Sequence, residues 1–166
     1  FFPLLATMSM ALSKTQVGVV LSFYMIAGAI IQYPAGLLAD RFISHRKEIL
    51  FGGAVLSPVM MFFVPLTDNF YLLILITLMM GLFSAIGRAS AIAIRTERGR
   101  IHGMGVVTGA FTTSMSAGQV IGPLAFGAIA DLFKLTDAFY LGGVIGLAGS
   151  VISYLLLRRE KSLVEK

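Results

Sequence analysis

Apolar residues along this chain come in blocks, and the charged residues gather between the blocks rather than inside them. The blocks run over 1–12, 17–39, 49–66, 70–94, 103–130 and 138–157. Apart from the first they are close to the ~20 residues that an α-helix needs to cross a ~30 Å hydrocarbon core. Barrel strands alternate apolar and polar residues over ~10 positions, and these blocks do not alternate. The pattern therefore predicts an all-α polytopic membrane protein. Block 1–12 reaches only ~18 Å at 1.5 Å per residue, which reads as a helix with its start missing. The sequence opens on Phe1-Phe2-Pro3, without a start Met, a basic region or a cleavage site, so a fragment cut inside a helix is expected rather than a signal peptide.

The breaks have their own chemistry. Ser13-Lys14-Thr15-Gln16 is a short polar turn, and Pro65-Leu66-Thr67-Asp68-Asn69 is a cluster of helix breakers. Pro34 predicts a kink in the last third of the second span. The stretch Gly36-Leu37-Leu38-Ala39-Asp40-Arg41 marks the sharpest boundary: no formal charge lies between Val17 and Ala39, then Arg41, His45, Arg46, Lys47 and Glu48 follow closely. A second charged loop is expected over 95–102, and 158–166 is expected as a basic tail.

Composition agrees with this picture. Hydrophobic residues make up 57% and charged residues 13% of the 166 positions, too little polar surface for a soluble domain. Mean hydropathy is +0.90. With no cysteine, disulfides and thiolate metal sites are excluded. The net charge of +5 could suggest nucleic acid, but the placement of the basic residues explains it otherwise. Because consecutive loops alternate sides, Arg41, Arg46 and Lys47, then Arg95, Arg98 and Arg100, then Arg158, Arg159, Lys161 and Lys166 share one side, against Lys14 and Lys134 on the other. The positive-inside rule then predicts a cytoplasmic C-terminus, most simply in the plasma (inner) membrane, with the basic residues at anionic lipid headgroups and no nucleic-acid partner.

Small residues recur every four positions: Gly81, Ala85, Ala89 and Ala93; Gly105 and Gly109; Gly118 and Gly122; Gly142 and Gly146. Helices in lipid associate through close packing, so these are expected as packing faces. On the fifth span Thr108, Thr112, Met115, Gln119 and Gly122 share one face. As a set they suggest a solvated path, to which Gln32 and Tyr33, and Thr7 and Ser9, add similar groups; for each alone, interhelical hydrogen bonding explains it. Arg88 is the one formal charge well inside a span. A charge there costs ~2.5–3.5 kcal/mol on insertion scales. Three readings stay open: an ion pair with Asp40 or another gating contact, snorkelling to the headgroups, and contact with a solute.

Gly36-Leu37-Leu38-Ala39-Asp40-Arg41 resembles the signature loop of the major facilitator superfamily, Gly-x-Leu-Ala-Asp-Arg-x-Gly-Arg-Arg/Lys. Ile43 stands where that pattern has its second Gly, and the basic pair arrives late, at Arg46-Lys47. Gly118-x-x-x-Gly122-Pro123-x-x-x-Gly127 is similar to the family's Gly-Pro motif of the fifth or eleventh helix, with Phe126 where the stricter antiporter form has Gly. The resemblance covers essentially the whole chain. It implies a six-helix half of a twelve-helix bundle, read here as the C-terminal half, helices seven to twelve, with the N-terminal half as the missing partner.

The same resemblance implies a secondary transporter that moves a small solute by alternating access. Gly36, Asp40, Arg41, Arg46, Lys47 and Arg88 would then form the conformational gate, Gly118, Gly122, Pro123 and Gly127 a kink, and Thr7, Gln32, Tyr33, Thr108, Thr112 and Gln119 the solute path. The first, second, fourth and fifth spans would surround that path, with the third and sixth packed outside. A proton or sodium ion is the expected coupling ion; no carboxylate lies deep in a span, which assigns it to the missing half. A membrane scaffold or transporter-like receptor of the same fold is the alternative. No enzyme is expected: the His-Glu-x-x-His motif is absent, Ser44-x-x-Lys47 lies in a basic loop, and no strand precedes Gly103-Met104-Gly105. No cofactor or metal is expected.

Overall fold

The computed structural model describes residues 2–8, 10–42, 45–67, 69–132 and 134–164, with the side chains of all but Ala39, Arg46, Lys47 and 157–164. The helices are α1 (Phe2–Met8), α2 (Lys14–Arg41), α3 (Arg46–Phe63), α4 (Phe70–His102), α5 (Met104–Leu132) and α6 (Leu135–Val164), with a 3₁₀ turn at Val64–Leu66. No strand occurs among the described residues. Five of these helices, α2 to α6, are long and apolar enough to cross a membrane.

Local chemistry sets the helix starts. Ser13 caps α2 in a reciprocal box: its Oγ accepts from Gln16 N at 3.2 Å, and Gln16 Oε1 accepts from Ser13 N at 2.9 Å. Asn69 Oδ1 accepts from Tyr71 N at 2.9 Å at the start of α4. Asp137 Oδ2 reaches back to accept from Lys134 N at 3.2 Å, and so opens α6.

Three expected boundaries are corrected. The first span was expected over 1–12, but α1 ends at Met8; Ala11 takes a left-handed φ of +50° and Leu12 N–H donates to Ala6 O at 3.0 Å. The expected loop 95–102 is helical throughout, and α4 ends only at Gly103, whose φ of +93° breaks the helix in a single residue before α5. Charge ends a membrane span, but Arg and Glu are good helix formers, and Arg100 and His102 sit favourably in the last turn. For the same reason α6 runs through the expected tail to Val164.

The buried cluster Leu5, Val20, Val64, Leu73, Ile76 and Phe139 lies at the end away from the Asp40 turn, where α1 and the 3₁₀ turn meet the early turns of α2, α4 and α6. α3 and α6 run antiparallel as a zipper. Gly146 lies against the Pro58 ring, Ser150 Oγ donates to Ala54 O at 2.7 Å, and the Phe51 and Tyr154 rings are 4.4 Å apart. α5 packs on α4 and α6, yet none of its described residues is buried.

Candidate functional site

The closest association in the bundle is between α2 and α4, which run in the same direction. It is built from two rows at intervals of four: Tyr24, Gly28, Gln32, Gly36 and Asp40 on α2, and Gly81, Ala85, Ala89, Ala93 and Glu97 on α4. Residues four apart stack on one helix face, so each row forms a continuous ridge. The small residues allow the approach: any Cβ on Gly81 would overlap the Tyr24 carbonyl oxygen, and Ala85 and Ala89 are buried. The expected packing face of the fourth span is thus in use.

Where the rows carry polar side chains, the groove opens. A cavity of about 670 Å³ is lined by Gln32, Gly36 and Asp40 from α2 and by Ala89, Ile92, Ala93, Thr96, Glu97 and Arg100 from α4. A smaller one of about 200 Å³ is lined by Tyr24, Met25, Gly28 and Gln32, with Gly81, Ala85 and Arg88 opposite. Gln32 belongs to both and joins them along one groove.

The charges divide between these cavities. Asp40, in the last turn of α2, shares the larger with Glu97 and Arg100. Arg88 lines the smaller, where its Nη2 donates to Ser84 Oγ at 3.2 Å; Tyr24 Oη donates to the same oxygen at 3.5 Å. Arg88 and Asp40 thus line different cavities. Arg88 shares its cavity with Gly28 and Gln32, whereas Arg100, twelve residues or about three turns further along α4, shares one with Asp40.

Of the other gate candidates, Gly36 lines the larger cavity and Arg41 is exposed in the last turn of α2, where a cation suits the helix dipole. Arg46 and Lys47 belong to the first turn of α3, and their side chains lie outside those described. The expected solute path is not gathered into one cavity. Gln32 alone of its six residues lines the groove. Tyr33, turned about 100° from Gln32 around the helix, is 75% exposed. Thr7 Oγ1 donates to Pro3 O at 2.9 Å on its own helix, and Ser9 lies outside the described residues.

Thr112 and Gln119 are exposed and Thr108 is half-buried on α5. Gly105, Gly109, Gly118 and Gly122, expected as packing faces, have nothing within 4 Å of where a Cβ would stand. Pro123 lies within α5, and Gly127 is half-buried. Sequence reasoning missed Tyr24, Ser84, Glu97 and Arg100. Tyr24 and Glu97 could have been found by extending the two four-residue rows by one step; Arg100 was hidden by reading 95–102 as a loop. Among the described residues, no group of three His, Cys, Asp or Glu side chains could hold a metal ion.

Comparison with known proteins gives the groove its context. The chain is 28% identical, over 93% of its length, to an uncharacterized MFS-type transporter of Methanocaldococcus jannaschii. It is 29% identical over 89% to the multidrug resistance protein MdtG of Dickeya zeae, and 25% identical over 90% to the multi-drug resistance efflux pump PmrA of Streptococcus pneumoniae. It spans 37–40% of the length of these relatives. No solved structure matches it at a significant level. The Major Facilitator Superfamily matches residues 1–166, from one end to the other, and the chain belongs to that family of membrane transporters.

Proposed function

We propose that this chain forms helices seven to twelve of a twelve-helix carrier that moves a small organic solute by secondary active transport, with alternating access to a central site. The observation that carries the reading is the α2–α4 groove, which has Arg88 and Gln32 part-way along it and the charged group Asp40, Glu97 and Arg100 at its end. A charged cluster at the end of two parallel helices can hold one state of a rocking bundle and release it at modest cost, because its ions stay near the headgroup level. Asp40 acts as the gate, with Arg100 rather than Arg88 as the cation that shares its cavity. Arg88, held by Ser84, faces the solute.

The relatives named for multidrug resistance support a drug-like amphipathic organic solute as the cargo. The basic residues support an orientation with the Asp40 turn and the C-terminus in the cytoplasm of a plasma-membrane protein. Asp40 and Glu97 lie at the end of the groove, so a coupling proton or sodium ion is assigned to the rest of the protein. That remaining half covers α5, whose stripe Thr108, Thr112 and Gln119 then borders the path. The protein is a carrier, not an enzyme.

The test is solute counterflow in vesicles containing the full-length protein, over a panel of lipophilic organic solutes and sugars, with wild type beside Asp40→Asn. Exchange of a lipophilic solute that falls at least tenfold in the variant, with insertion unchanged, is the expected result. Exchange unaffected by the substitution removes Asp40 from the gate, and no exchange of any solute overturns transport itself.

A further inference from the structure

A third cavity, of about 630 Å³, lies away from the α2–α4 groove, and its walls come from α3, α4, α5 and α6. Phe51, Phe111, Gly149 and Tyr154 give it a mostly apolar lining, and among the described residues Arg95 and Arg98 are its formally charged members. The guanidinium of Arg95 stands 5.0 Å from the centroid of the Phe111 ring, which faces part of its charge. Its Nε is buried and has no hydrogen-bond partner among the described residues. A buried donor of this kind lacks an acceptor, and the cavity beside it is wide enough to bring one.

The level of Arg95 indicates what that acceptor belongs to. Phe70 to Ile94 is the apolar part of α4, about 37 Å of helix, enough to cross the ~30 Å core with some tilt. Arg95 is the first residue beyond it, at headgroup level. Below it the cavity continues along apolar side chains of α3, α5 and α6, none of which lines the groove. A ligand that fits must put an anion on Arg95 and hydrocarbon along the wall.

We infer that this cavity is a binding site for an anionic phospholipid of the adjoining leaflet, with the phosphate on Arg95 and an acyl chain along the apolar wall that runs from Phe111 past Gly149. Arginine suits a phosphate through paired N–H donors, and the partnerless Nε of Arg95 favours an anionic headgroup over a zwitterionic one. Gly149 keeps the acyl channel open: nothing stands within 4 Å of where its Cβ would be.

The test is native mass spectrometry of the full-length protein taken from nanodiscs of equimolar phosphatidylglycerol and phosphatidylcholine. Wild type is expected to retain phosphatidylglycerol several-fold over phosphatidylcholine. Arg95→Gln should bring that ratio to about one. Gly149→Leu, which fills space that no neighbour occupies, should reduce retention of both lipids and leaves Arg95 in place should Arg95→Gln fail to fold. Equal retention of the two lipids by wild type overturns the site, as does undiminished phosphatidylglycerol on Gly149→Leu. Displacement of the lipid by millimolar inorganic phosphate alone would reassign Arg95 to a free anion.

Discussion

Two adjacent glycines on α3 meet very different surroundings, which makes them a matched pair for testing the packing. A Cβ on Gly53 would stand 2.5 Å from Gly87 N, 2.8 Å from Phe83 O and 2.9 Å from Gly87 Cα, all backbone atoms of α4. Non-bonded carbon atoms rest at ~3.5–4.0 Å, so one methyl must push α3 and α4 apart by about 1 Å. Overpacking of this size costs ~1–3 kcal/mol. A Cβ on Gly52 meets nothing within 4 Å. Both Gly→Ala changes gain the same ~0.5–1 kcal/mol from the stiffer helix, so that term cancels between them. Gly53→Ala is therefore expected to be ~1–3 kcal/mol less stable than Gly52→Ala. Thermal melting of the full-length protein, followed by fluorescence-detected size exclusion, should rank Gly52→Ala at or above wild type and Gly53→Ala below it. A Gly53→Ala midpoint equal to or above that of Gly52→Ala would refute the close α3–α4 approach.

Two serines should respond with opposite sign in the same assay. Ser150→Ala removes the 2.7 Å bond to Ala54 O between α6 and α3 and should cost ~0.5–1.5 kcal/mol, whereas Ser90, fully buried with no hydrogen-bond partner for its Oγ among the described residues, should lose nothing or gain on becoming Ala. Ser84→Ala frees the Arg88 guanidinium and is expected to change the transport KM several-fold with insertion intact. An unchanged KM would take Arg88 out of the solute path.

Long-range packing was legible wherever both partners lie within the chain. The row Gly81, Ala85, Ala89 and Ala93 is visible in the sequence as small residues every fourth position, and it packs as that spacing predicts because α2 presents a matching row. Gly142 and Gly146 are legible in the same way: the first faces the Phe126 ring and the Met61 methyl, and the second faces Pro58. Helix ends were less legible, since hydropathy reports where lipid stops and not where the backbone hydrogen bonding stops. Nothing in Arg95-Thr96-Glu97-Arg98 forbids a helix, and reading it as a loop hid Glu97 and Arg100 from the groove.

The fifth span marks the limit of that reasoning. Its Gly118, Gly122 and Pro123 match a family motif as clearly as any residues in the chain, and its stripe of Thr108, Thr112 and Gln119 is regular. Even so, none of its described residues is buried, and four of its glycines face open space. Spacing can say that a face is built for close approach, but not which helix approaches it; that depends on a partner whose own residues must be known. The chain spans 37–40% of the length of its relatives, and under the proposed twelve-helix architecture this bare small-residue face is where the other half would dock. On that account the fold of this chain is largely contained in its own sequence, while the proposed solute path is not.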